Sequence, residues 1–186
     1  MMIRNTVSSY GLVAIIIHWL MAVSIFFLFG LGLYMVELSY YDSWYKGSLD
    51  LHKSIGVCLL LALIFRVIWR TINIVPQPEV SGRKGEAFEH KVAHLVHLML
   101  YILMFLIMSS GYLISTADGR GVGVFELFDV PALPSLIENQ EDIAGEIHFY
   151  LAWTLIVLVI LHVAGALKHH FIDKDTTLVK MLRSGK

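Results

Sequence analysis

The sequence predicts an all-α integral membrane protein, a bundle of four transmembrane helices with both termini in the cytoplasm. Three observations carry that expectation. Of 186 residues, 57% are hydrophobic and only 16% charged, and the mean hydropathy is +0.71, well beyond the apolar share of a soluble domain. Four apolar runs are each long enough for the roughly 20 residues that cross a hydrocarbon layer of about 30 Å. The basic residues are segregated: Arg4, Arg66, Arg70, Arg83, Lys84, Lys91, Lys168, Lys174, Lys180, Arg183 and Lys186, 11 of the 14, fall on one side. The positive-inside rule makes that side cytoplasmic. The opposite side, span ends included, carries Lys46, Lys53 and Arg120 against 10 of the 15 carboxylates, so the exoplasmic face is acidic. Membrane lipid is therefore the expected surroundings, and no nucleic acid partner is expected.

The first span, about residues 11 to 38 (GLVAIIIHWLMAVSIFFLFGLGLYMVEL), is longer than the roughly 7 to 15 apolar residues of a signal peptide and lacks its small-x-small cleavage site. The second, about 52 to 71, opens on His52 and Lys53 and closes on Arg66 and Arg70, one turn apart. Its Cys58, the sole cysteine, reads as a packing residue. The third, about 91 to 115, is preceded by His90 and continues HKVAHLVHLMLY, which sets His90, His94, His97 and Tyr101 on one helical face. A turn-rich stretch, STADGRGVGVFELFDVPALP, follows. The fourth span, about 146 to 168, lies in EIHFYLAWTLIVLVILHVAGALKHH and leads to FIDKD, read as a solvated cap. No repeat, low-complexity tract or domain boundary interrupts the chain, so residues 1–186 are expected to form one domain.

Ionisable groups inside a bilayer are costly and mark function, and depth sorts the nine histidines. At about 1.5 Å per residue, His148 and His162 lie about 21 Å apart on one helix, near opposite membrane surfaces. Fourteen residues are two heptads, which keeps both on one seam of a left-handed bundle. His52 is level with His148, and His18 is level with His162. Two pairs of imidazoles at two depths are what two cofactors with paired axial histidines require, and neutral imidazole ligates iron well. Gly56, Ala152, Gly165 and Ala166 leave room for a flat macrocycle near the backbone. With one cysteine and no C-x-x-C-H motif, attachment is non-covalent, which specifies haem b. His97 lies at nearly the depth of His18, and spacing alone leaves open which of the two opposes His162. For His94 and His97 the weighed roles are structural or propionate contact first, then quinone contact, then axial ligation.

The quoted residues carry a resemblance. IHW in span one, LHKSIG opening span two, IH with LH 14 residues on in span four, and then ALKHHFIDKDTTL resemble the bacterial cytochrome b561 family over nearly the whole chain. The resemblance implies a stand-alone di-haem cytochrome b linked to the quinone pool, with the inner haem between His18 and His162 and the outer haem between His52 and His148. It also implies ubiquinone or menaquinone as substrate and a periplasmic redox partner; one family member oxidises superoxide. The rival reading, from the same histidine spacing, is the cytochrome b anchor of a dehydrogenase or hydrogenase complex. A third, a histidine-based metal transporter, needs a polar path, but FYLAWTLIVLVIL between His148 and His162 offers only Tyr150 and Thr154.

Around these pairs the sequence places further candidates. Arg66 and Arg70 either hold haem propionates or snorkel to lipid headgroups, and Lys53 is their analogue at the outer site. His169, seven residues beyond His162, is read as a quinone or propionate contact, or as a surface histidine favoured by the helix dipole. Lys46, Lys53 and Arg120 are a local positive entrance to the outer haem for a small anion.

Overall fold

A computed structural model describes residues 2–79, 82–83 and 85–184; Lys84 and Lys186, counted above with the basic face, lie outside the described residues. The elements run α1 (Leu12–Met35), α2 (Tyr45–Thr71), α3 (Glu86–Ser115), β1 (Val122–Val124), β2 (Phe128–Val130), α4 (Gln140–Phe171) and α5 (Thr177–Leu182). Helices α1 to α4 are each long and apolar enough to cross a membrane. They match the four expected spans. Three of them are longer than the apolar runs, with α2 and α4 each beginning about two turns earlier, because a helix continues through polar residues once its apolar part is fixed. Ser48, in the added part of α2, is fully buried and donates to the Tyr45 carbonyl at 2.9 Å.

The solvent-accessible surface is that of a bilayer protein. Large apolar side chains such as Leu20, Val23, Phe26, Leu61, Ile64, Phe105, Val157 and Ile160 point outward, as they do when the surroundings are as apolar as the interior. The interior is a compact septum of Met21, Leu59, Leu63, Met104, Met108, Leu155 and Val159, contributed by all four spans at mid-height. Helix α4 packs chiefly on α3, α2 lies between α1 and α3, and α1 meets α4 only sparingly.

Both termini gather at one end. The Asn5 side chain donates to the Ile74 carbonyl at 2.8 Å and accepts from the Gly11 N–H at 2.8 Å, stitching the N-terminal arm to the exit of α2. A Cβ at Gly11 would fall 2.3 Å from the Ile3 carbonyl oxygen, so only glycine permits this fold-back. At the same end Trp19 Nε1 donates to the Met181 carbonyl at 2.7 Å, and Lys180 Nζ to the Gln77 carbonyl at 3.2 Å. At the other end the turn-rich loop holds a two-stranded antiparallel hairpin with Val122 opposite Val130 and Val124 opposite Phe128. Sequence patterning marked this stretch only as turns, because three-residue strands are too short to show a period.

Candidate functional site with paired histidines at two depths

The hairpin-end pair is His52 of α2 and His148 of α4, whose ring centroids stand 6.2 Å apart. The terminus-end pair is His18 of α1 and His162 of α4, at 6.4 Å. With metal–nitrogen bonds of about 2.0–2.1 Å, two imidazoles on opposite sides of one ion have centres roughly 6.3 Å apart. Both pairs fit a group with two opposed axial positions. His97 of α3 also edges onto His162, at 5.1 Å, which is short for that arrangement.

The pairs differ in how the rings are oriented. His148 Nδ1 lies 2.9 Å from the Ile107 carbonyl oxygen and 3.1 Å from Ser110 Oγ. A carbonyl only accepts, so Nδ1 carries the proton and Nε2 keeps its lone pair, the tautomer a metal needs. Ser110 itself donates to the same carbonyl at 2.9 Å. Gly111 makes the approach possible, since a Cβ there would stand 3.1 Å from His148 Cε1. His52 Nδ1 is buried without a hydrogen-bond partner among the described residues. A buried imidazole nitrogen so left is uncommon and is expected where a non-protein group completes the site.

At the other pair, Arg66 stands between three helices. Its Nε donates to Tyr101 Oη at 2.9 Å, and its guanidinium lies 3.2 Å from His18 Nδ1. Arginine has no acceptor, so His18 Nδ1 accepts here and the ring proton sits on Nε2. Arg70 follows in the last turn of α2. Cβ atoms added at Gly56 or Gly165 would meet nothing within 4 Å, so the room read from sequence is present at both.

His169 sits below this level, with Nδ1 2.8 Å from Asp175 Oδ2 and 3.1 Å from Asp173 Oδ2. Asp173 is almost fully buried and is also bound by Arg83 and by Lys168 Nζ at 3.0 Å, while Lys168 reaches Glu89 at 2.5 Å. The segment read as a solvated cap is folded back onto α4, because these cations give its carboxylates partners. Burial raises the Asp173 carboxyl, but the Arg83 and Lys168 bonds outweigh it and hold the group below its ordinary range. Burial likewise opposes the Thr177 and His169 hydrogen bonds that hold Asp175 low. Glu89, His169 and Asp173 are close enough to share a cation; Lys168 and Arg83 already fill that role. On the hairpin side, Arg120 is bonded to Asp118 at 2.7 Å, so its charge is paired, and Lys53 is half-buried in α2.

Sequence reasoning did not find Ile107, Ser110 and Gly111, although the SSG at residues 109–111 is the small-residue signature of close helix approach.

The comparisons agree with this architecture. Residues 9–184 match the family described as prokaryotic cytochrome b561. The chain is 49% identical over 182 residues to cytochrome b561 homolog 2 of Escherichia coli K12, covering 98% of this chain and 95% of that one. It is 29% identical over 147 residues to cytochrome b561 homolog 1 of the same organism, covering 76% and 78%. It is 26% identical over 187 residues to a Yersinia pestis protein named probable superoxide oxidase CybB, covering 93% and 95%. With four membrane-crossing helices and a match across nearly its whole length, the chain belongs to the prokaryotic cytochrome b561 family, membrane cytochromes for which haem b is implied.

Proposed function

We propose that the chain is a single-domain, di-haem electron carrier of the bacterial inner membrane, with both termini cytoplasmic, working between the quinone pool and a periplasmic redox partner. The observation that carries this reading is the repeated histidine geometry: ring pairs at 6.2 and 6.4 Å, with α4 supplying one member of each from positions about 21 Å apart along its axis. His52 and His148 would hold the outer haem, and His18 and His162 the inner one. Haem b, when bound, supplies reversible one-electron transfer at its iron.

The protein's own groups do the rest. The Ile107 carbonyl fixes the His148 tautomer and ring plane. Arg66, with Arg70 beside it, would bind a propionate; moving onto a carboxylate, Arg66 would release His18 Nδ1 and free the proton from Nε2. The septum of Met21, Leu59, Leu63, Met104, Met108, Leu155 and Val159 lies between the two levels. It excludes water and ions, so charge crosses only as electrons. Quinone, ubiquinone or menaquinone, would exchange electrons at the inner end beside His169, whose Nε2 is left for a ligand by the Asp175 bond to Nδ1. Superoxide, suggested by the name of the Yersinia pestis relative, is the small donor this reading favours at the outer end.

The test is stoichiometry and pairing. Purified in detergent, the chain should carry two low-spin haems, both removed by acid acetone. His52→Ala and His148→Ala should each remove one and the same haem, His18→Ala and His162→Ala the other, and His97→Ala neither. A colourless folded protein with stoichiometric zinc refutes the reading. Loss of the inner haem in His97→Ala with silence in His18→Ala reassigns the inner pair.

A further inference from the structure

The hairpin end of the bundle shows a second kind of surface. Along α2, large apolar side chains are exposed from Leu61 onward, at Leu61, Ile64, Phe65, Val67 and Ile68, but none is exposed from Tyr45 to Leu60. Part of that half of the helix is covered by β1, whose Val122 and Val124 are only 3% and 1% exposed. Ser54 pins the hairpin there: its Oγ accepts from the Phe125 N–H at 3.0 Å and donates to the Gly123 carbonyl at 3.4 Å. Two further pins hold the rest of the loop low. Tyr112 Oη donates to the Pro131 carbonyl at 2.7 Å and accepts from the Leu133 N–H at 3.0 Å. Gln140 spans from the Leu136 N–H to the Leu113 carbonyl, both at 2.9 Å.

Depth follows from helical rise. Ser54 precedes Arg70 by sixteen residues, about 24 Å, and the hydrocarbon layer is about 30 Å thick. If Arg70 marks the polar border at the terminus end, Ser54 and the strand it holds lie at the opposite border of the bilayer, not above it. The hairpin thus stands where lipid would otherwise touch α2. Its tip turns through Phe125 and Glu126, both at positive φ, a backbone that favours Asn and Gly, and it displays Phe125, Leu127 and Phe128, with Leu127 80% exposed. A loop facing only water has no use for a strained turn that presents three large apolar residues together.

We infer that this hairpin is an interfacial anchor: its inner face replaces lipid on α2, and Phe125, Leu127 and Phe128 insert among the acyl chains and headgroups of the leaflet at that end. The open strand edges keep it in the interfacial zone, because unpaired N–H and C=O groups are not tolerated in hydrocarbon. Glu126 and Asp129 rule out attraction by anionic lipid as the driving force, so the partner is the apolar border of the leaflet itself, in continuity with the lipid-facing surface of α2.

The experiment uses the full-length protein in vesicles of neutral phosphatidylcholine. In a Cys58→Ser background, nitroxide labels are placed through Leu127→Cys, through Leu61→Cys as the lipid-facing reference and through Asp118→Cys as the loop reference, and collision with oxygen is compared with collision with a water-soluble nickel chelate. The oxygen-to-nickel ratio at Leu127 should be at least several-fold above that at Asp118 and approach that at Leu61. Phe125→Cys should give the same answer should the Leu127 variant fold poorly. A Leu127 ratio equal to that of Asp118 overturns the inference. Immersion seen only in anionic vesicles, or a water-exposed label shielded only on adding a protein fraction, overturns it equally, the latter in favour of a protein partner.

Discussion

Gly111→Ala separates the helix from the site it supports. A Cβ at this position stands 3.1 Å from His148 Cε1 and 3.4 Å from Nδ1, so the imidazole must retreat by a few tenths of an ångström. It cannot do so freely, because Nδ1 is tied to the Ile107 carbonyl at 2.9 Å. Overpacking of this kind costs about 1–3 kcal/mol. At 1.4 kcal/mol per tenfold, retention of the haem held by His148 should weaken roughly 5- to 150-fold. The helix itself gains, since alanine is favoured over glycine by about 1 kcal/mol in a helix interior. The helix gain thus offsets part of the clash, and the variant should melt close to the parent while losing, on dilution in detergent, the haem that His52→Ala also lacks. A thermal melt checks the first expectation, and haem content by pyridine haemochrome with the residual spectrum checks the second. A variant that retains both haems with unshifted potentials, or loses the His18 haem, refutes the role given to Gly111.

Arg66→Gln removes a charged partner worth about 1.5–3 kcal/mol, so the inner haem should be lost on dilution roughly 10- to 150-fold more readily while the outer haem stays; Tyr101→Phe, which removes only the acceptor of the Arg66 Nε bond, should do less. His169→Ala should leave both haem spectra nearly unchanged and slow haem oxidation by a soluble ubiquinone analogue several-fold in stopped flow; an unchanged rate, with slowing instead in Lys53→Ala, moves the quinone site to the outer end. Asp173 and Asp175 are held below the ordinary carboxylate range. The stabilisation they give to the folded tail is thus complete above that range, around pH 4, and is lost as pH falls through their lower folded values. Proteolysis after Lys174 should accelerate on acidification below pH 4, using an acid-stable protease, and Asp173→Asn should release the tail already at pH 7.

The spans and the pairing of depths were legible because each rests on a one-dimensional regularity: apolar run length in one case, helical rise in the other. His148 and His162 needed only counting. What surrounds them was not legible. The group that orients His148 is the backbone carbonyl of Ile107, and every residue type has one. The value of Gly111 lies in a contact with another helix. Arg66 and Tyr101 were both flagged, but their bond depends on the relative rotation of α2 and α3, which no single-helix pattern contains. FIDKD alternates in charge as a solvated cap does, and Phe171, Ile172 and Lys174 are exposed; the covering of the Asp173 side chain follows from Arg83 and Lys168 meeting it from α3's approach and from α4, a tertiary coincidence. The hairpin was hidden for another reason, its two strands being shorter than any period that could announce them.

The two histidine levels differ in a way that bears on how the site is built. At the hairpin end the proton of His148 is placed by a main-chain carbonyl, which is fixed once α3 has folded. At the terminus end the proton of His18 is placed by the side chain of Arg66, which is charged and itself held by Tyr101. The first imidazole is set for a metal before any arrives. The second is held in the opposite tautomer by Arg66; under the proposed function, a carboxylate that drew Arg66 away would also release His18 Nδ1. One arginine would thereby link recognition of a cofactor's periphery to readiness of His18, and through Tyr101 it is tied to α3, the helix that on its other end orients His148.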